Sequence, residues 1–185
     1  MNAPPVLIIP GWQNSGPQHW QSLWQKAHPE YVRVEQADWE RPKRAEWVKT
    51  LDGYVEKAGA PPVLVAHSLG SIAVAHWAAK HSRSVRGALL VAPPDLDAGA
   101  AYDEGGFTPL PRLRLPFPSI LVASSDDPWC EMKVSQELAK AWGSQLVNAG
   151  ASGHLNTDAG FGPWPLGEAL LAELMSRRRD RKSVV

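Results

Sequence analysis

The residue best placed to do chemistry is Ser68, in the stretch Val63-Leu64-Val65-Ala66-His67-Ser68-Leu69-Gly70. An apolar run precedes it and a helical pattern follows. A serine on so tight a strand-to-helix turn matches the G-x-S-x-G elbow, which exposes its hydroxyl at the carboxyl edge of a sheet. Small neighbours let the backbone fold that sharply, and Ala66 in place of the first glycine adds only a methyl. At the helix start, the N–H of Leu69 points toward the place where an oxyanion would develop. A nucleophilic serine needs a base, and the base needs a group that orients it. In folds built around such an elbow, the acid and then the histidine follow the serine, each just past a strand. Beyond the run 119–123 comes Ser124-Ser125-Asp126-Asp127-Pro128, and beyond 145–149 comes Gly150-Ala151-Ser152-Gly153-His154. His154 is the candidate base and Asp127 the candidate acid. Pro128 holds the residue before it extended, so Asp127 is the better fixed of the two carboxylates. Consecutive side chains leave such a turn in different directions, which leaves Asp126 to accept backbone N–H bonds.

A fourth element follows the first apolar run, in Ile8-Ile9-Pro10-Gly11-Trp12-Gln13-Asn14-Ser15-Gly16. Its place beside Ser68 predicts a second oxyanion donor, the backbone N–H of Trp12 or that of Gln13. Trp12 and Trp164 are the tryptophans expected to reach the substrate pocket. The segment 93–118 leaves the sheet at its carboxyl edge, where ligands bind in open α/β folds. Its apolar residues, Phe107 and Leu110 among them, are therefore expected to shape that pocket. His67 is read as a packing residue beside the site, Ser71 as structural, and Cys130 as a passive thiol. No spacing of His, Cys and carboxylates resembles a metal site.

The elements that must position these residues are legible as six short apolar runs, at 6–9, 32–34, 63–66, 88–92, 119–123 and 145–149. Four are dense in Val, Ile and Leu with little alternation, as in strands covered on both faces. Helical stripes lie between them: Trp20, Leu23, Trp24 and Ala27 after Pro17, then Trp47, Leu51, Tyr54, Val55 and Ala58. Further stripes run through Leu69, Ile72, Ala73, His76 and Trp77, through Val134, Leu138 and Trp142, and from Pro165 through Leu174. Strands alternating with helices predict a mostly parallel sheet of about six strands with helices on both faces. Only 93–118 breaks the rhythm. Its prolines argue for a loop, although Asp95 could cap a short helix through Ala101.

The 185 residues fit one domain over 1–185, with 44% hydrophobic residues and no run approaching a membrane span. Lys plus Arg and Asp plus Glu both count 19, so nothing draws the fold as a whole to nucleic acid or a membrane surface. The basic tail 177–185 reads as a frayed terminus. A single cysteine permits no internal disulfide, which suits a reducing compartment, and the expected location is the cytoplasm.

Together these pieces resemble the small serine hydrolases typified by retinoblastoma-binding protein nine and its bacterial relatives. The likeness rests on Pro10-Gly11-Trp12, His19-Trp20, Ala66-His67-Ser68-Leu69-Gly70, Ser125-Asp126-Asp127-Pro128, Gly153-His154 and Gly160-Phe161-Gly162-Pro163-Trp164-Pro165. It implies a three-layer α/β-hydrolase fold without a large cap domain or cofactor, and it makes the aspartate directly before proline, Asp127, the acid. The expected activity is hydrolysis of a small carboxylic ester or related acyl compound through an acyl-enzyme. The alternatives are an amidase or peptidase using the same residues, or a non-catalytic homologue that binds a protein partner.

Overall fold

The computed structural model describes residues 3–99 and 105–176. The tail 177–185, expected to fray, lies outside the described residues. A six-stranded sheet runs in the order β2-β1-β3-β4-β5-β6. The strands are β1 (Val6–Ile9), β2 (Val32–Arg33), β3 (Val63–His67), β4 (Gly87–Val91), β5 (Ser119–Ala123) and β6 (Gln145–Asn148). Every neighbouring pair is parallel, so each connection must cross back along the sheet. The helices α1 (Trp20–Ala27), α2 (Arg44–Lys57), α3 (Leu69–Ala78), α4 (Met132–Trp142) and α5 (Pro165–Ser176) supply most of those crossings.

Alternation divides each strand between two cores, because successive side chains point to opposite faces. Leu7, Ile9, Leu64, Ala66 and Leu90 face the layer that holds α2, α3 and α4. Val6, Ile8, Val63, Val65 and Leu89 face α1 and α5. In the second layer three indoles cluster. Trp20 meets Trp24 and Trp164 edge-on, with ring centres 4.7 and 5.0 Å away. Such pairs contribute about 0.5–1.5 kcal/mol each beyond the area they bury.

Helix α1 opens at Trp20 rather than at Pro17, because the ring nitrogen Nδ1 of His19 accepts from the N–H of Gln21 and caps it there. The segment 93–118 forms no helix among its described residues. Asp95 does accept from the N–H of Ala98, but what it closes is a turn at 96–99. Phe107 is wholly buried and meets Trp47 edge-on at 5.9 Å, while its carbonyl accepts from Nε2 of His76. Leu110 is buried in the same layer, with its N–H bonded to Asp97. The stretch from Phe107 to Leu110 thus packs into the layer of α2 and α3 instead of standing at the sheet edge.

One close approach governs how β1 and α3 meet. A Cβ on Gly70 would lie 2.4 Å from the carbonyl oxygen of Ile9 and 2.6 Å from that of Pro10. Neither backbone atom can move without shifting the strand. Gly53, half-buried in the interior of α2, has nothing within 4 Å of such a carbon. Gly70→Ala is therefore expected to cost about 2 kcal/mol or more. Gly53→Ala should stabilise by about 0.5–1 kcal/mol through helix propensity. Urea unfolding of both variants beside the parent checks the pair.

Candidate active site

Ser68 sits between β3 and α3 with φ 53° and ψ −127°, a backbone state that side-chain-bearing residues rarely adopt. Its N–H donates to the carbonyl of Val91 at 2.8 Å, and its own carbonyl accepts from Ser71 at 2.9 Å. The hydroxyl lies 2.9 Å from Nε2 of His154. On the other side of that ring, Nδ1 is 3.0 Å from both carboxylate oxygens of Asp127. A carboxylate only accepts, so Nδ1 carries the proton and Nε2 is left to accept from the Ser68 hydroxyl. The Asp127 side chain is only 3% exposed, and its Oδ1 also accepts from the N–H of Trp129.

Asp126 turns the other way and is exposed. Its Oδ1 accepts from the Ser124 hydroxyl at 2.7 Å and from the N–H of Gly153 at 2.8 Å. The Ser124 hydroxyl first, and then the Gly153 N–H, hold its carboxyl below the usual range. It fastens the turn after β5 to the loop that carries His154. Ser124 Oγ accepts in addition from the N–H of Ser152, and Ser125 donates to the carbonyl of Gly150.

The same loop is clamped from the opposite side by residues that spacing alone did not mark. His67 donates from Nε2 to the carbonyl of His154 at 2.9 Å. Trp20 donates from Nε1 to the next carbonyl, that of Leu155, also at 2.9 Å. Gln21 is fully buried and donates through Nε2 to the carbonyls of Ile9 and Val65, while its Oε1 accepts from the Ser15 hydroxyl. The tripeptide His19-Trp20-Gln21 thus caps a helix, pins the His154 loop and ties two strand ends to the first loop. Its side-by-side polar and aromatic residues at the head of an apolar helix were the available signal.

That first loop lies directly over Ser68. A Cβ on Gly11 would be 2.9 Å from Cβ of Ser68 and 3.2 Å from the nitrogen of Leu69. Gln13 and Asn14 both have positive φ, and the N–H of Gln13 donates to the carbonyl of Trp39 at 3.0 Å. Gln13 therefore spends its donor away from Ser68. Arg33 braces the turn from behind through Asn14 Oδ1 and the carbonyl of Ser15.

A cleft of about 440 Å³ opens above Ser68. Trp12, Leu69, Pro94, Leu96 and Trp129 give it apolar walls, and Asn14, His19, Asn156, Thr157 and Asp158 give it polar ones. Trp12 is where it was expected. Trp164 is not: it is buried beneath the cleft, near-parallel to Trp24 and edge-on to Phe161. Phe107 and Leu110 are likewise core residues and do not line it. Cys130 is buried with its Sγ 3.3 Å from the Ser135 hydroxyl, and burial pushes its thiol up to about 11. Among the described residues, no three His, Cys, Asp or Glu side chains gather as a metal ion would require. No described helix is long and apolar enough to cross a membrane.

The model of a family described as serine hydrolase matches residues 6–173. A protein described as a YdeN-like hydrolase from Pectobacterium atrosepticum is 30% identical, with a TM-score of 0.86 over 94% of this chain and 91% of that one. The ydeN gene product of Bacillus subtilis is 22% identical, with a TM-score of 0.78 over 94% of this chain and all of that one (100%). Est1E from Butyrivibrio proteoclasticus, solved with ferulic acid bound, shares the fold at 14% identity and a TM-score of 0.70, covering 95% of this chain and 91% of that one. A search of curated proteins finds no match.

Two buried imidazoles flank the cleft floor. The ring of His67 lies 4.8 Å from that of His19 and 5.0 Å from that of His154. Burial, with Arg33 and His154 nearby, lowers His19 to about 4, and burial holds His67 well below its ordinary value. Between pH 6.5 and 4 the unfolded chain therefore takes up a proton that folded His19 refuses. Stability is complete above the unfolded value and is lost as pH falls toward the folded one. For His19 the loss amounts to about 3 kcal/mol. Asn keeps a capping oxygen but does not titrate. The His19→Asn variant should show a shallower fall than the parent in urea midpoints measured from pH 7 to pH 4.

Proposed function

The chain belongs to the serine hydrolase family, and we propose that it cleaves small carboxylic esters through an acyl-enzyme formed on Ser68. The observation that carries this reading is the unbroken path from Asp127 through His154 to a serine held in a strained turn beneath an open cleft. His154 Nε2 takes the hydroxyl proton as Ser68 Oγ bonds to the carbonyl carbon. The carbonyl becomes a tetrahedral oxyanion. As the C–O bond to the leaving group breaks, the same nitrogen returns the proton to the departing oxygen. Water then repeats the sequence on the acyl-enzyme and releases the acid. Asp127 keeps the Nδ1–H tautomer and stabilises the imidazolium while it lasts. The oxyanion donors in this reading are the backbone N–H groups of Leu69 and Trp12. The first opens α3, and the second sits in the loop that Gly11 brings against Ser68, whereas Gln13 donates to Trp39. One such donor typically contributes about 10²–10³ in rate.

An ester is preferred over an amide because its leaving group needs less activation. The two walls of the cleft suit a compact acyl compound rather than a long lipid chain. A module that only binds a protein would have no use for a serine held at φ 53° and ψ −127° against a histidine, a backbone state that costs of order 1–3 kcal/mol. The neutral charge balance and the single, buried thiol suit a catalytic unit of the cytoplasm.

Ser68→Ala should abolish both fluorophosphonate labelling and ester turnover while leaving the melting temperature within a few degrees. Retained turnover would remove Ser68 from the mechanism. Asp127→Asn keeps the shape but favours the wrong tautomer, and should lower kcat by about 10⁴. Asp126→Asn should cost far less activity, and act mainly by lowering the melting temperature. Steady-state kinetics and thermal melts of the two variants separate these roles.

A further inference from the structure

Whatever leaves the acyl group must depart past His154, because Nε2 of that residue hands it a proton. From His154 the chain runs through Leu155 into Asn156, Thr157 and Asp158, and all three of those residues line the cleft. The wall beside the proton donor is therefore polar. Among the described residues it is also one-signed: the lining includes the carboxylate of Asp158 and no Lys or Arg. Asp158 is exposed at the head of a short 3-10 turn, and no ion pair or side-chain hydrogen bond is found for it among the described residues. On the other flank, Gln13 Nε2 donates to Glu40 Oε2, which brings a second carboxylate to the edge of the loop that carries Trp12. The guanidinium of Arg33 lies behind that loop, engaged by Asn14, Ser15, Ser22 and Gln25, and does not reach the lining.

Two aromatic faces complete the picture. Trp12 and Trp129 are each 39% exposed, although most of the large apolar side chains are buried. Both line the cleft, and both are held in place. The indole of Trp12 donates to the carbonyl of Glu40 at 3.0 Å. Trp129 is anchored by its own backbone, with its N–H on Asp127 and its carbonyl accepting from Asp95. Its ring meets that of His154 edge-on at 6.4 Å. Fixed, half-exposed indoles lining the same cleft as the Asp158 carboxylate form a surface that attracts an organic cation and repels an anion.

We infer that the preferred substrates are esters whose leaving group carries a positive charge, with Asp158 as the residue that selects it. This rests on the serine esterase reading of the same site. The step itself is unchanged: the Ser68 Oγ–carbon bond forms, the carbon–oxygen bond to the ammonium-bearing alcohol breaks, and the alcohol oxygen keeps the proton from His154.

Three esters with one acyl group test it: butyrylcholine, its uncharged isostere 3,3-dimethylbutyl butyrate, and the anionic carboxymethyl butyrate. At low ionic strength kcat/KM for the cation should exceed that of the neutral isostere by about 5-fold or more, with the anion below both. Raising the salt to 0.5 M should shrink the spread, since charges are then screened within about 3–10 Å. Asp158→Asn should bring the cationic and neutral esters to within about 2-fold of each other. Fluorophosphonate labelling of Ser68 and a thermal melt report whether the variant has folded. A parent protein that hydrolyses the neutral ester but shows no cationic preference would overturn the inference and leave the esterase reading standing. So would a preference that survives in Asp158→Asn. Failure to hydrolyse any of the three, with Ser68 unlabelled by fluorophosphonate, would overturn both.

Discussion

The backbone of Ser68 is the constraint around which the rest of the molecule is arranged. A serine at φ 53° and ψ −127° is unstable by itself and persists only because its surroundings leave no alternative. Val91 on β4 takes its N–H, and α3 begins immediately after it. From below, the end of β1 presses against Gly70, where even a methyl would strike two carbonyl oxygens. From above, Gly11 closes on the Ser68 side chain itself. Two glycines and one small residue, Ala66, are what allow three chain segments to converge on this turn. The strain and the close packing are one arrangement: the turn exposes the hydroxyl, and the approach of β1 brings a loop of backbone amides over it.

Holding the imidazole is a second problem, solved with different chemistry. His154 lies on a loop past an edge strand, where the backbone is least restrained. Four hydrogen bonds fix its neighbourhood: His67 on its own carbonyl, Trp20 on the carbonyl of Leu155, Asp126 on the N–H of Gly153, and Ser124 on the N–H of Ser152. The donors from beneath, His67 and Trp20, are buried, and His67 and its neighbour His19 both resist protonation. Neither imidazole therefore puts a positive charge beneath the His154 loop.

Much of this was readable from residue types. Apolar runs located the strands within a residue or two, since a strand buried on both faces cannot tolerate polar positions. The order Ser68, Asp127, His154 emerged because each follows such a run, and the structure brings all three together. What could not be read depended on partners distant in sequence. Trp20 and Leu155 are 135 positions apart, and nothing local marks an indole as a donor to that carbonyl. The misplacement of Phe107, Leu110 and Trp164 has a related cause. An apolar side chain on a loop or at a helix start is equally satisfied by a cleft or by the core. For Phe107, the choice was made by Trp47 and His76; for Trp164, it was made by Trp20 and Trp24. Trp12 was legible because its neighbour Gly11 ties the loop to the turn at Ser68.

The all-parallel sheet has a consequence for how the molecule comes into being. Parallel neighbours can pair only after a long connection has closed, so this topology assembles through distant contacts and slowly. On the proposed assignment, the nucleophile stands after the third strand and the base after the sixth, 86 positions further along. A chain emerging from the ribosome presents the serine, its loop and its acid before His154, the base in this reading, has been added. Domains are completed from the amino end during synthesis. Reactivity therefore arrives only when the last strand docks, and an incomplete chain holds a serine that can neither modify its neighbours nor be consumed by them.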